Sequence, residues 1–394
     1  MAVHPDNPAV LTPVRVLSTQ YFLYFGVLGV FLPYFNLYLH RIGFSGGQIG
    51  AVSGLRSAAV VFMPILWALT ADRAKNRRGL FIFSNVAAAG LFAGYFLTQS
   101  FWPMLAITAA HAMFYAPIIS FMEAFSMEIL GKKKERYGKV RAWGSGAFIA
   151  TVLVVGKLVS AFGARIILWL IFAGSALQAA FSSRFPDIAT DARLAPSLSG
   201  STLRQFTRPR VMVFLVAAFL MLVSHGAYYG FYSIYLEGLG YSGTFIGAMW
   251  ALATAAEVAV MVKSEALLTR LSARVILGGS LLVAAARWAA LSQAESPAAL
   301  VPIQLLHAVT YGSFHVASIV YVERLIPPAA RTLGQAANNA MTYGLGLAVG
   351  FAINGLTWEA WGAEASFALS ALMALAGAAL FIGQAAREKT RAKP

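Results

Sequence analysis

The chain has 394 residues, of which 59% are apolar and only 11% charged, with 30 Lys and Arg against 15 Asp and Glu and no Cys. Soluble domains carry about 25% charge and about 45–50% apolar residues, so lipid is the solvent for much of this chain, and disordered, collagenous and coiled-coil classes are excluded. Without Cys there is no disulfide framework, thiolate zinc site, iron–sulfur cluster or cysteine nucleophile.

A helix that crosses about 30 Å of hydrocarbon needs roughly 20 mostly apolar residues. Twelve such runs follow one another at 15–39, 47–71, 79–98, 102–128, 143–161, 164–182, 210–236, 243–266, 274–292, 298–323, 333–357 and 364–385. They are continuous rather than alternating, and lipid offers no partner for open backbone groups, so an all-α membrane protein of twelve transmembrane helices is expected rather than a barrel. All but six of the 30 basic residues lie in alternate loops or at the termini. Lys and Arg are retained on the cytoplasmic side, so both termini are expected in the cytoplasm of a bacterial inner membrane. The net charge of +15 is thereby read as topology and not as a nucleic-acid surface. The N-terminal Met-Ala-Val-His-Pro-Asp lacks a basic n-region and cleavage site, so the first span is expected to remain in the protein.

The long polar stretch 183–209, rich in Ser, Pro, Arg and Asp, reads as a cytoplasmic linker between two six-helix bundles, 1–182 and 210–394. The halves repeat: Tyr38-Leu39-x-x-x-Gly43-Phe44-Ser45-Gly46-x-x-Ile49-Gly50 returns as Tyr235-Leu236-x-x-x-Gly240-Tyr241-Ser242-Gly243-x-x-Ile246-Gly247. A parallel six-helix repeat points to a transporter with a central site between the halves.

Charged groups far inside a span are costly and usually face a cavity or a partner. Arg56 in span 2, Glu123 in span 4, Glu257 in span 8 and Arg287 in span 9 meet that description. Glu257 shares a helix face with Trp250, Thr254 and Met261. Glu257 with Arg287, and Glu123 with Arg141, also read as buried pairs that fix helix register. Arg56 is then left without an acid, and either a substrate carboxylate supplies one or the side chain reaches the interface or a backbone carbonyl. An unperturbed imidazole titrates near working pH, so His225, His307 and His315 are candidate proton carriers, and each also reads as a hydrogen-bonded core residue. Tyr228, Tyr229 and Tyr232 form a stripe with His225, and Tyr311 shares the face of His307, which suits a cavity wall that stacks an aromatic ligand. Asn338 in span 11 adds a neutral hydrogen-bonding group. Asp72 and Arg73, between spans 2 and 3, are read as gate residues.

With Asp72-Arg73 and Arg77-Arg78 in that loop, the six-plus-six chain resembles the major facilitator superfamily, although Ala68 stands where its loop signature carries Gly. Phe121-Met122-Glu123-Ala124-Phe125 followed by Tyr137-Gly138-Lys139-Val140-Arg141 is similar to the lactose permease group, and Glu257, Arg287 and His307 match its helix-8 Glu, helix-9 Arg and helix-10 His. Gln304-Leu305-Leu306-His307-x-x-x-Tyr311-Gly312-x-Phe314-His315 and Ser224-His225-Gly226-Ala227-Tyr228-Tyr229 resemble the phenylpropionate permease branch. Thr310 stands where lactose permease has an acidic coupling residue, so the proton route of that group does not carry over directly.

The resemblance and the residues together imply a secondary active transporter of a small organic solute, an aromatic or other organic carboxylate, coupled to protons. Glu123, Glu257 and His307 are read as proton-coupling groups. Arg56, Arg141, Arg287, His225, Tyr228, Tyr229, Tyr232, Tyr311, His315 and Asn338 are read as the substrate site. A sugar or nucleoside proton symporter and an amphiphile efflux pump are the alternatives. There is no Walker, GxSxG or HExxH motif, so neither ATP hydrolysis nor a membrane enzyme is expected. No cofactor or metal is expected. The partners are a small-molecule substrate, protons and the bilayer, with no nucleic acid, and the protein is read as a monomer.

Overall fold

The computed structural model describes residues 12–74, 76–133, 136–187 and 204–391. Among them there is no strand. The helices are α1 (Pro13–Arg41), α2 (Gly46–Ala74), α3 (Arg77–Phe92, continued by a 3-10 turn to Phe96), α4 (Phe101–Leu130), α5 (Tyr137–Phe162), α6 (Arg165–Ser182), α7 (Pro209–Gly238), α8 (Gly243–Val262), α9 (Ala273–Leu291) and α10 (Pro297–Leu325). The last apolar helix, Leu333–Glu388, is broken by Gly362 at φ +77° into α11 (333–361) and α12 (363–388), so the twelve expected spans are all present. Most of the expected linker, 188–203, lies outside the described residues.

Local chemistry sets the helix ends. Gly43 and Gly240, at φ +93° and +83°, stop α1 and α7 in a conformation that a side chain would oppose. Two residues later Ser45 and Ser242 start the next helix: the Ser242 hydroxyl accepts from the Phe245 N–H, while Ser45 and Gln48 exchange bonds as a capping box. The internal sequence repeat is therefore one helix–turn–helix device used twice. The α5 helix begins at 137 rather than 143, which puts Arg141 on the helix. The α8 helix stops at Val262, and Ser264–Arg270 forms a short separate helix.

Three helices depart from α geometry where buried polar groups gather. The α7 helix is interrupted at His225, α10 carries a π segment over Ala308–Ser313, and α11 carries another over Ala340–Gly346. Such segments redirect side chains and are frequent at functional sites.

The two halves of the chain meet along α2 with α11, α5 with α8, and α1 with α7. At the end remote from the basic loops, small residues bring backbones together: Gly46 and Gly50 lie against Gly355 and Phe351, Gly156 lies against Gly243, and Gly247 lies against Val152. Polar bonds cross the seam at the same end. Arg41 pairs with Glu237, Asn36 Nδ2 donates to the Gly230 carbonyl at 3.0 Å, and Glu359 accepts from Ser45 Oγ and from the Gly47 N–H, each at 2.8 Å. Near the basic end Glu123 and Trp143 are exposed. This is a pair of halves closed at the far end.

Candidate functional site

The second half holds a continuous polar network inside an aromatic shell. Arg287 on α9 is fully buried. Its Nη1 donates to His307 Nδ1 at 2.7 Å and to Thr310 Oγ1 at 3.0 Å, and its Nη2 donates to Gln304 Oε1 at 3.2 Å. An arginine only donates, so His307 Nδ1 must be the lone-pair nitrogen and Nε2 must carry the proton. That Nε2–H points at Glu257 Oε1, 2.7 Å away on α8. The result is a directed line, Arg287 to His307 to Glu257, with one imidazole tautomer imposed by its neighbours. Thr310, which stands where lactose permease has an acidic coupling residue, is thus an acceptor for Arg287.

Gln304 extends the network, donating from Nε2 to Tyr228 Oη at 2.6 Å and to the Met249 carbonyl at 3.1 Å. The Arg287 guanidinium lies 4.6 Å from the Tyr228 ring centre and 4.3 Å from that of Trp288. A cation held against aromatic faces is stabilised by their quadrupoles. Tyr229 Oη is 3.4 Å from His307 Nε2, and His307, Tyr311 and His315 stack along one face of α10, with ring centres 5.4 and 6.3 Å apart. His315 Nδ1 and Tyr343 Oη are 2.7 Å apart. His225, at the α7 interruption, donates from Nδ1 to the Met221 carbonyl at 2.7 Å, leaving a buried Nε2 with no partner among the described residues. Tyr232 packs on Tyr228, its buried hydroxyl also unpartnered.

The first half presents cations instead. Arg141 on α5 lies 3.6 Å from the Phe25 ring centre, and its buried Nη1 has no hydrogen-bond partner among the described residues. It lies within electrostatic reach of Glu123 on its own half and of Glu257 and His315 across the seam, but in ion-pair contact with none of them. Arg56 on α2 sits 4.3 Å from the Phe31 ring centre among Tyr24, Tyr95 and Tyr115, again without an acid partner among the described residues. Neither pair considered from the sequence is in direct contact: Glu257 bonds His307 rather than Arg287, and Glu123 is exposed and makes no ion-pair contact with Arg141.

The structure gathers Glu257, Arg287, His307, His225, Tyr228, Tyr229, Tyr232, Tyr311 and His315 into one region. Asn338 is buried nearby on α11, its Oδ1 unpartnered. Arg56, Arg141 and Glu123 belong to the opposite wall. Arg73 is exposed at the basic end of α2, and the Asp72 side chain lies outside the described residues. Sequence reasoning did not assign Gln304, Trp288 or Tyr343 to the site, although Gln304 stands in the motif around His307. It also missed His111 and Tyr115, which stack at 5.1 Å beside Phe31 with His111 buried and both its nitrogens unpartnered. Among the described residues no three His, Asp or Glu converge to hold a metal.

Residues 14–369 match the model of the MFS_1 like family. The chain belongs to that family. It is a multi-pass membrane transporter of the major facilitator superfamily and not an enzyme. Over 319 residues it is 30% identical to the probable 3-phenylpropionic acid transporter of Escherichia coli, covering 79% of this chain and 83% of that one. It is 25% identical to the maltose permease of Geobacillus stearothermophilus over 95% of both chains. The crystal structure of the nucleoside transporter NupG superposes with a TM-score of 0.85 over 95% of this chain and 99% of that one, at 19% identity, a likeness of fold alone.

Proposed function

We propose that this transporter is a proton-coupled symporter of a small aromatic or other organic carboxylate, working by alternating access in a bacterial inner membrane, with the basic end and both termini in the cytoplasm. The bundles 1–182 and 210–394 are the rocking units, and Asp72 and Arg73 belong to the cytoplasmic gate. The observation that carries this reading is the polarised line from Arg287 through His307 to Glu257, set opposite two guanidinium groups, those of Arg56 and Arg141, that have no acid partner in contact among the described residues.

In the ionised form Glu257 accepts the His307 Nε2–H. When Glu257 takes up a proton, the acceptor at the end of the line is neutralised and the His307–Glu257 bond loses its charge assistance. A substrate carboxylate offered to Arg56 or Arg141 supplies the contacting acid that neither has among the described residues, while its ring stacks among Tyr24, Tyr115, Tyr229 and Tyr311. Asn338 and His225 offer unpartnered atoms to substrate polar groups, and Glu123, exposed at the open end, receives or releases the proton there. The similarity to a probable phenylpropionic acid transporter supports the aromatic acid as substrate.

The test is the external pH of lightly buffered, de-energised cells on addition of 3-phenylpropionate, with empty vector as control for unaided diffusion of the undissociated acid. Alkalinisation above vector that is lost in Glu257→Gln and Glu123→Gln is the expected result. No excess over vector, with the protein present in the membrane, overturns the pairing of substrate and coupling and moves the substrate panel to nucleosides and sugars.

A further inference from the structure

At the basic end, the start of α7, the end of α10 and the end of α12 enclose a groove of about 930 Å³. Arg208, Arg210, Arg324 and Arg387 converge on it from three stretches of chain far apart in sequence, and Glu388 is the one acidic residue in its lining. That carboxylate is already shared, with Arg210 Nε at 2.6 Å and Arg274 Nη2 at 3.1 Å. Arg208, Arg324 and Arg387 are exposed, and none has an ion-pair partner among the described residues. The positive-inside tendency explains why these arginines stand at this end of the helices. It does not explain why they converge on one concavity.

Apart from Gln384, Glu388 and the arginines the walls are apolar or glycine, and Leu380 of the lining, with Met212 and Val216 on the adjoining stretch of α7, is exposed. A ring of guanidinium groups above a strip of aliphatic side chains at a membrane surface has the polarity profile of an anionic phospholipid, headgroup phosphate above and acyl chains below. We propose that this groove binds the headgroup of one anionic phospholipid of the surrounding leaflet, with Arg208, Arg324 and Arg387 holding the phosphate. Basic pockets between transmembrane helices recognise such headgroups by charge and by the planar donor fork of arginine. The site is separate from the transport site and does not depend on which solute is carried.

The experiment uses the full-length protein purified in neutral detergent. Native mass spectrometry after titration with phosphatidylglycerol, phosphatidylcholine or inorganic phosphate is expected to show a retained phosphatidylglycerol favoured by about tenfold or more over phosphatidylcholine. Phosphatidylglycerol, but not inorganic phosphate, is expected to raise the melting temperature. The triple variant Arg208→Gln, Arg324→Gln, Arg387→Gln loses the preference, whereas Lys132→Gln, Lys133→Gln, Arg136→Gln, at the same end but outside the groove, keeps it. Should the first variant fail to fold, the preference is read on the wild-type protein and on Arg324→Gln alone, which is expected to reduce it. Equal binding of the two lipids, equal stabilisation by inorganic phosphate, or equal loss in both triple variants overturns the proposal.

Discussion

At the scale of single residues, the second half of the transporter is organised by one cation with neutral acceptors. Among the described residues Arg287 has no carboxylate in contact; its two Nη atoms are held by an imidazole, a hydroxyl and an amide, its buried Nε has no partner, and two aromatic faces flank it. Hydrogen bonds to a charged group contribute about 1.5–3 kcal/mol each, so Arg287→Ala, which leaves His307, Thr310 and Gln304 without a donor, is expected to cost about 3 kcal/mol or more, read as a drop in melting temperature. Glu257→Gln is different in kind. The amide keeps an acceptor for His307 Nε2 but cannot titrate, so downhill exchange of substrate across proteoliposomes should continue while proton-driven accumulation falls to the level of protein-free liposomes. Retained accumulation in Glu257→Gln would remove that residue from the coupling route.

At the scale of elements, the repeat that names the two halves also builds the far-end closure. Each copy ends a helix with Gly and begins the next with Ser, and Arg41 of the first turn pairs with Glu237 of the second. Glu359 docks on the first turn of α2, where the Gly47 N–H and the Ser45 hydroxyl hold its carboxyl below the usual carboxylate range. The contribution of this contact to closure is therefore fully present above the ordinary carboxylate pKa and lost as pH falls through the lowered one. Acidifying the far side should open that end, and Glu359→Gln should weaken closure already at neutral pH; distances between spin labels on the α1–α2 and α11–α12 turns measure both. Much of this architecture was legible in advance, because runs of some 20 apolar residues, basic loops and the repeated turn are properties of local sequence. The interruptions were not. A π segment at 308–313 or 340–346 leaves no trace in hydrophobic periodicity, so Tyr343 could not be placed beside His315. His111 sits in an apolar run that reads as core, and only the fold shows that neither of its nitrogens has a partner. Charge pairing was legible as a set of members, not as partners: Glu257, Arg287 and His307 were all singled out, yet the imidazole stands between the other two.

At the scale of the whole molecule, the halves are closed at one end by backbone lying on backbone. A Cβ on Gly247 would overlap the Val152 carbonyl, and one on Gly243 would press on that of Gly156. Overpacking typically costs about 1–3 kcal/mol, so Gly247→Val should shift the population toward a far end held open by about ten- to a hundredfold. Because the chain has no Cys, Ser53→Cys, at the buried hydroxyl that bonds Asn36 near the seam, gives a single thiol. It should react with an impermeant reagent added from the far side faster in the Gly247→Val background than alone. Unchanged reactivity would show that the glycine faces are not what closes the seam. The same faces carry a kinetic meaning. Where side chains interlock, parting two surfaces requires many rotamers to change in concert; where glycines lie flat, the surfaces separate without any such rearrangement. The lifetime of this closure then rests largely on two polar contacts, the Arg41–Glu237 ion pair and the bonds that the Glu359 carboxylate accepts from Ser45 and Gly47, and exposed charges are screened within about 8–10 Å at physiological salt. The cycling rate of this transporter should thus respond to the ionic strength of the medium on its far side, even for a substrate whose binding does not.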